Sequence, residues 1–168
     1  MLFVCPLSRL EETVSRTRAE RVVSLLTAGT ALARPAGIAP RHHLLLSMND
    51  IVEAMPDMTP PAREHVERLI AFARDWDRTR PTVVHCYAGI SRSTAAAYIV
   101  AAALAPRRDE RELARALRLA SPSATPNPRL VALADELLGR QGRMVAAIAE
   151  IGRGAEAFEG TPFEFPLG

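Results

Sequence analysis

His85-Cys86-Tyr87-Ala88-Gly89-Ile90-Ser91-Arg92-Ser93 lies between a short β-branched run ending at Val84 and a long apolar run that begins near Arg92. Strand, tight loop and helix in that order form an anion-binding arrangement. Such a loop points successive backbone N–H groups into one concavity, and the helix behind it adds the positive end of its dipole. Cys86 at the start of the loop is more than a filler, because a thiol beside a helix N-terminus and an arginine is held toward its thiolate. Arg92 can turn back across the loop and grip two phosphate oxygens with its planar fork. As an isolated surface residue at a helix start, its charge would oppose the dipole, and an anion partner removes that conflict.

These residues predict chemistry at phosphorus. Cys86 would attack in line to give a phosphocysteine intermediate. The amides of Tyr87, Ala88, Gly89, Ile90, Ser91 and Arg92, with the Arg92 guanidinium, would bind the substrate's phosphoryl oxygens and carry the charge that spreads over them. Gly89 supplies the backbone freedom the turn requires. No metal or other cofactor is expected, and phosphate, sulfate or vanadate is expected to occupy the same loop.

The stretch resembles the His-Cys-(any five)-Arg-Ser/Thr signature of the cysteine-dependent protein tyrosine phosphatases, and Ala88-Gly89-Ile90-Ser91-Arg92-Ser93 is most similar to the dual-specificity branch. The resemblance extends over roughly Phe3 to Leu138. It implies an α/β fold in one domain: a central, mostly parallel sheet flanked by helices, with the phosphate-binding loop between a strand and a buried helix. It also implies that the Ser93 hydroxyl stabilises the leaving thiolate when the intermediate breaks down. By the same resemblance His85 orders the loop, and a carboxylic acid on an upstream loop protonates the leaving oxygen and then activates water.

For that acid the resemblance favours Asp50, which follows a strand directly in Ser47-Met48-Asn49-Asp50 and lies 36 residues before Cys86. Asp57, at 29 residues, is the alternative, equally readable as a turn or cap acid, and Glu53 is a third. No Trp-Pro-Asp loop is present, and the only tyrosines are Tyr87 and Tyr98, so the larger tyrosine-specific branch fits less well and a shallow pocket is implied.

Composition bounds the rest. With 168 residues, 48% of them hydrophobic and 24% charged, the chain suits a single globular domain spanning 1–168. All 21 basic residues are arginine, which excludes a lysine-dependent nucleotide loop and Schiff-base chemistry, and the Arg/Ala richness suggests a GC-rich bacterial genome. A net charge of +2, with acids and arginines interspersed, argues for neither nucleic acid nor membrane as partner. Two distant cysteines, Cys5 and Cys86, suit a reducing compartment. With no signal-peptide pattern and no apolar run long enough to span a bilayer, a cytoplasmic location is expected.

In chain order, Leu2-Phe3-Val4 reads as a strand, and Ser8 with Glu11 has capping-box spacing for a first helix. Arg21 to Leu26 and His42 to Ser47 read as strands, and Thr59-Pro60 as the start of a helix running to about Asp77 with Trp76 in the core. Thr82-Val83-Val84 is a buried strand, and Thr94 to Ala105 is apolar on every side. Asp109 and Asn127 cap two further helices, and Met144, Val145, Ile148 and Ile151 mark one more. By the resemblance Asn127 is a candidate brace for the phosphate loop, but a cap alone explains it, and Cys5 reads as an ordinary strand cysteine. Residues 152–168 read as a tail packed on the domain or partly mobile, with Phe158, Phe163 and Phe165 along it.

The leading expectation is thus a phosphatase acting on a phosphorylated protein or small phosphomonoester. A phosphoinositide or inositol-phosphate phosphatase is the alternative, weakened because Tyr87 to Ser91 include no basic residue to meet extra phosphates. A non-catalytic phosphoprotein-binding module and a rhodanese-like sulfurtransferase fit less well, since nucleophile, clamp and candidate acids are all present.

Overall fold

A computed structural model describes residues 1–167; Gly168, the last residue of the expected tail, lies outside them. Five strands, β1 (Leu2–Pro6), β2 (Arg21–Leu26), β3 (His43–Ser47), β4 (Thr82–Cys86) and β5 (Phe163–Phe165), form one sheet in the order β3-β2-β4-β1-β5. The first four run parallel, and β5 pairs antiparallel with β1 at the edge. Helix α1 (Leu10–Thr17) covers one face. The helices α2 (Arg63–Arg74), α3 (Arg92–Leu104), α4 (Glu110–Ala120), α5 (Pro128–Leu137) and α6 (Arg143–Ile151) build the other side.

Parallel strands covered on both faces read as continuous apolar runs. In β4 the two-residue period sorts the side chains: Val83 joins Cys5, Leu10, Val14 and Val22 under α1, whereas Val84 and Cys86 join the main core around α3. The same alternation puts Cys5 under α1, on the opposite side of the sheet from Cys86; burial pushes the Cys5 thiol up to about 12, which keeps it protonated. It is a free, buried strand cysteine.

Helix α3 is buried from Arg92 through Ala102, and its alanines let neighbouring helices and the sheet approach closely. Tyr98 is fully enclosed and donates from its hydroxyl to the Glu110 carbonyl at 3.0 Å. At the far end, Arg140 donates to the Ala102 carbonyl at 2.8 Å and pairs with buried Glu110 at 2.8 Å, placing a cation where the dipole is negative. The helix that starts at the phosphate loop is therefore fixed along its whole length.

Two starts differ from the sequence reading. Ser8 does not cap α1; it sits in a 3₁₀ turn, Leu7–Arg9, and its hydroxyl donates to Glu159 at 2.8 Å. Helix α2 begins at Arg63 rather than at Thr59-Pro60, because Pro60 and Pro61 hold the chain extended. Thr59 instead exchanges two bonds with Asn49: its carbonyl accepts the Asn49 N–H at 2.7 Å and its N–H donates to Asn49 Oδ1 at 2.9 Å. That pair closes the neck of the loop carrying Asp50. The third difference is β5, a strand made by the tail.

Candidate active site

The phosphate loop leaves the carboxyl end of β4 and enters α3, the position where open α/β sheets place ligands. Strand β4 extends through His85 and Cys86, pairing Pro6 with Cys86 in register. The loop then packs onto the end of β1. Gly89 has φ of +69°, and a Cβ there would stand 2.7 Å from the Pro6 nitrogen, so both conformation and space demand glycine.

Cys86 Sγ lies 3.1 Å from Ser93 Oγ and accepts the Gly89 N–H at 3.3 Å. The thiol is almost enclosed, whereas Tyr87 beside it is 63% exposed, so the loop opens outward at that residue. Arg92 is only 6% exposed. Its Nη1 donates to the Met48 carbonyl at 2.8 Å and reaches Thr27 Oγ1 at 3.5 Å, which fixes the guanidinium plane. Its Nε is a buried donor that finds no acceptor within hydrogen-bond reach among the described residues, a capacity that an oxygen of a bound phosphate can satisfy.

Asp50 is brought to this loop and Asp57 is not. Asp50 Oδ1 accepts from Ser91 Oγ at 2.8 Å and from Asn127 Nδ2 at 2.8 Å, while Oδ2 stands 4.0 Å from Arg92 Nε. Asp57 is an exposed turn residue with φ of 58°, and among the described residues no hydrogen bond or ion pair joins it or Glu53 to the loop. The start of α3 and the Asp50 loop thus meet through Arg92, Ser91 and Asn127.

His85 is fully buried on the α1 side of the sheet. Its Nε2 is 2.6 Å from Ser24 Oγ, which is itself 2.8 Å from His43 Nε2, so the hydroxyl can donate to one ring while accepting from the other. Burial, above all, lowers the His85 pKa to about 4, with the Cys86 backbone pulling the other way and His43 and Arg92 adding to the drop. At neutral pH the ring is uncharged and, through the Ser24 hydroxyl, ties β4 to β2 and β3.

Asn127 is the residue the sequence reading left outside the site. Its Oδ1 caps α5 by accepting from Arg129 and Leu130, at 3.0 and 3.1 Å. The other half of the amide, Nδ2, is then free to donate to Asp50 and, at 3.3 Å, to the Ile51 carbonyl. The available signal was chemical: an amide that caps with its oxygen keeps two N–H donors to spend elsewhere. Thr27 and the Met48 carbonyl, which hold Arg92, carry no sequence signature of that role.

Beside Asp50, Ser91 and Asn127 opens a groove of about 530 Å³, walled by Val52, Ile90, Pro126 and Ile148 with Arg153 and Glu156 at its rim. Among the described residues no three His, Cys, Asp or Glu side chains gather as a metal site requires. Among the described residues no helix is long and apolar enough to cross a membrane.

No protein-family model and no curated protein sequence matches the chain. Solved structures do. DUSP15 superimposes with a TM-score of 0.62 over 92% of this chain and 94% of that one, at 19% identity. The fold is that of the dual-specificity and protein tyrosine phosphatases. The PTP-2 phosphatase of Cydia pomonella gives a TM-score of 0.62 at 20% identity, covering 80% of this chain and 84% of its own. PTPMT1 gives 0.61 at 16% identity, covering 90% and 96%. The sheet flanked by helices expected from the sequence is the observed phosphatase fold.

Proposed function

We propose that the chain is a protein tyrosine or dual-specificity phosphatase, a phosphoric monoester hydrolase that works through a phosphocysteine intermediate. One observation carries the reading: a single loop presents Cys86 Sγ with the Gly89 amide 3.3 Å away and the immobilised Arg92 guanidinium, and the Asp50 carboxyl group stands 4.0 Å from the Arg92 Nε. The phosphatase fold supports it.

In the first step the Cys86 thiolate attacks phosphorus, an S–P bond forms, and the ester P–O bond breaks. Asp50, protonated for this step, gives its proton to the departing oxygen. Loop amides and Arg92 hold the equatorial oxygens where charge gathers. In the second step Asp50, now a carboxylate, takes a proton from water, the new P–O bond forms, and the S–P bond breaks. Ser93 Oγ, 3.1 Å from the sulfur, donates to the thiolate as it leaves. His85 supports Cys86 from beneath as a neutral ring.

The loop residues Tyr87, Ala88, Gly89, Ile90 and Ser91 contact the phosphoryl group and add no positive side chain, which favours a phosphorylated protein or simple phosphomonoester over a polyphosphorylated headgroup. Phosphoinositides are the second reading, since PTPMT1, a fold neighbour, has been solved in complex with PI(5)P. A mouse dual-specificity phosphatase has been solved with zinc tungstate, in line with oxyanion binding in this fold. A cytoplasmic location fits a chemistry that needs a free thiol.

Hydrolysis of an aryl phosphate tests the reading, with Cys86→Ser, Asp50→Ala and Asp57→Ala alongside wild type. Activity insensitive to chelator and blocked by vanadate is expected. Cys86→Ser should be inactive, Asp50→Ala slowed about 10²- to 10⁴-fold with poor leaving groups, and Asp57→Ala near wild type. Full activity in Cys86→Ser would end the proposal, and a larger loss in Asp57→Ala than in Asp50→Ala would reassign the acid. Phosphopeptides tested against phosphoinositides then separate the two substrate readings.

A further inference from the structure

Four carbonyls of the phosphate loop accept backbone N–H groups from outside it. Leu7 donates to Tyr87 at 3.0 Å, Gly160 to Ala88 at 2.7 Å, Thr125 to Ile90 at 2.9 Å and Asn127 to Ser91 at 3.3 Å. In a trans peptide unit the C=O and the N–H point in opposite directions. Each bond that draws a carbonyl outward therefore turns the next residue's N–H toward the pocket, at Ala88, Gly89, Ser91 and Arg92. The Gly89 N–H shows the outcome, donating to Cys86 Sγ at 3.3 Å.

Three of these donors belong to segments that the sheet and helices already fix. The fourth, which sets the Gly89 amide, belongs to the tail after α6. That tail is tied down at several points. Gly154 donates to Thr125 Oγ1 at 3.1 Å, with a Cβ there standing 2.6 Å from the Ser123 backbone. Glu159 accepts from Ser8 Oγ at 2.8 Å, and β5 pairs with β1 from Phe163 to Phe165. Gly160 is buried between these anchors, and a Cβ on it would lie 2.7 Å from the Gly89 carbonyl oxygen.

We propose that Gly160 is a positioning residue for the phosphate loop. The tail is a strap whose backbone N–H holds the Ala88 carbonyl outward and so aims the Gly89 amide at sulfur and bound phosphate. Any side chain at 160 pushes the strap off the loop and frees that peptide unit to rotate. The amide then no longer waits, already oriented, for the charge that develops during transfer, which is where such donors act most strongly. This inference rests on the phosphatase reading.

The test compares Gly160→Ala with Gly37→Ala, whose φ of +83° makes it a strained substitution too, but with no atom within 4 Å of the added Cβ. Orthovanadate affinity by calorimetry, kcat and KM for an aryl phosphate, and the denaturant midpoint are measured for each. Gly160→Ala is expected to lose about tenfold in vanadate affinity and at least as much in kcat/KM. Gly37→Ala is expected to lose stability while keeping both. Ser8→Ala, which releases Glu159 without adding an atom, should shift the same two quantities about twofold.

A folded Gly160→Ala with unchanged vanadate affinity and kcat overturns the strap. Should Gly160→Ala not fold, unchanged values in Ser8→Ala overturn it instead. A wild-type protein that hydrolyses no aryl phosphate overturns the phosphatase reading itself, while vanadate titration of the same variants still decides whether the strap aims the loop.

Discussion

The phosphate loop and the loop carrying Asp50 meet at Ser91 and Arg92 but are built on opposite principles. The first runs from a buried strand into a buried helix, with four backbone N–H groups from three other segments binding its carbonyls. The second is exposed from Val52 through Thr59, with Val52, Met55 and Met58 turned to solvent; it is held at its neck by Asn49 and Thr59, at Asp50 itself, and at the Ile51 and Val52 carbonyls by Asn127 and Arg129, which leaves the stretch from Glu53 to Met58 to solvent. The difference fits the roles proposed for each. A nucleophile and its charge-stabilising amides work by being already in place, whereas an acid that becomes a base must exchange protons with water between steps.

The largest expected break in that comparison is in the rigid half. Arg92→Lys keeps the charge but loses the planar fork and the bond to the Met48 carbonyl. kcat/KM for an aryl phosphate should fall about 10³-fold, with the denaturant midpoint little changed. A loss under tenfold would mean that the guanidinium geometry is not what the pocket uses.

A smaller effect is expected from the exposed half. Asn127→Ser retains a cap for α5 but removes the amide that reaches Asp50, so kcat should fall several-fold, about 1 kcal/mol, with little loss of stability. An equal loss in stability and no change in kcat would reduce Asn127 to a helix cap.

The smallest effect on turnover, but a clear one on stability, concerns His85. Its folded-state pKa of about 4 lies below the value of 6.5 for an unperturbed ring. Between those two values the unfolded chain binds a proton that the folded one refuses. The stability tied to the neutral ring is therefore fully present above pH 6.5 and is lost as pH falls toward 4, a loss on the order of 3 kcal/mol. Denaturant midpoints measured from pH 7 to 4 should show this slope, and His85→Gln should flatten it. An unchanged slope in the variant would assign the acid sensitivity to other groups.

The two halves also differ in how far the sequence disclosed them. The phosphate loop is local: nucleophile, glycine, clamp and hydroxyl lie within nine residues, and the strand before and helix after them are strongly patterned. The strands β1 to β4 and the helices α3 to α6 were legible for the same reason. Asp50 could be named only by resemblance, because what places it is its contact with Ser91, 41 residues away, and Asn127, 77 residues away. Ser8 and Thr59 carry good capping chemistry, yet Glu159 and Asn49 recruit them through long-range bonds that no window of sequence contains. The tail's strand was hidden for a related reason: three residues, Phe163–Phe165, have no pattern of their own and become a strand only against β1.

The central claim is that Cys86 carries the phosphoryl group between two steps that Asp50 serves in turn. Its most direct test is mass spectrometry of Asp50→Ala quenched in denaturant during turnover of an activated aryl phosphate. With a good leaving group the first step needs no acid, while the second lacks its base, so the phosphoryl adduct should accumulate on the Cys86 peptide and be absent from Cys86→Ser. Turnover without any phosphoryl adduct on Cys86, or an adduct on another residue, would contradict it.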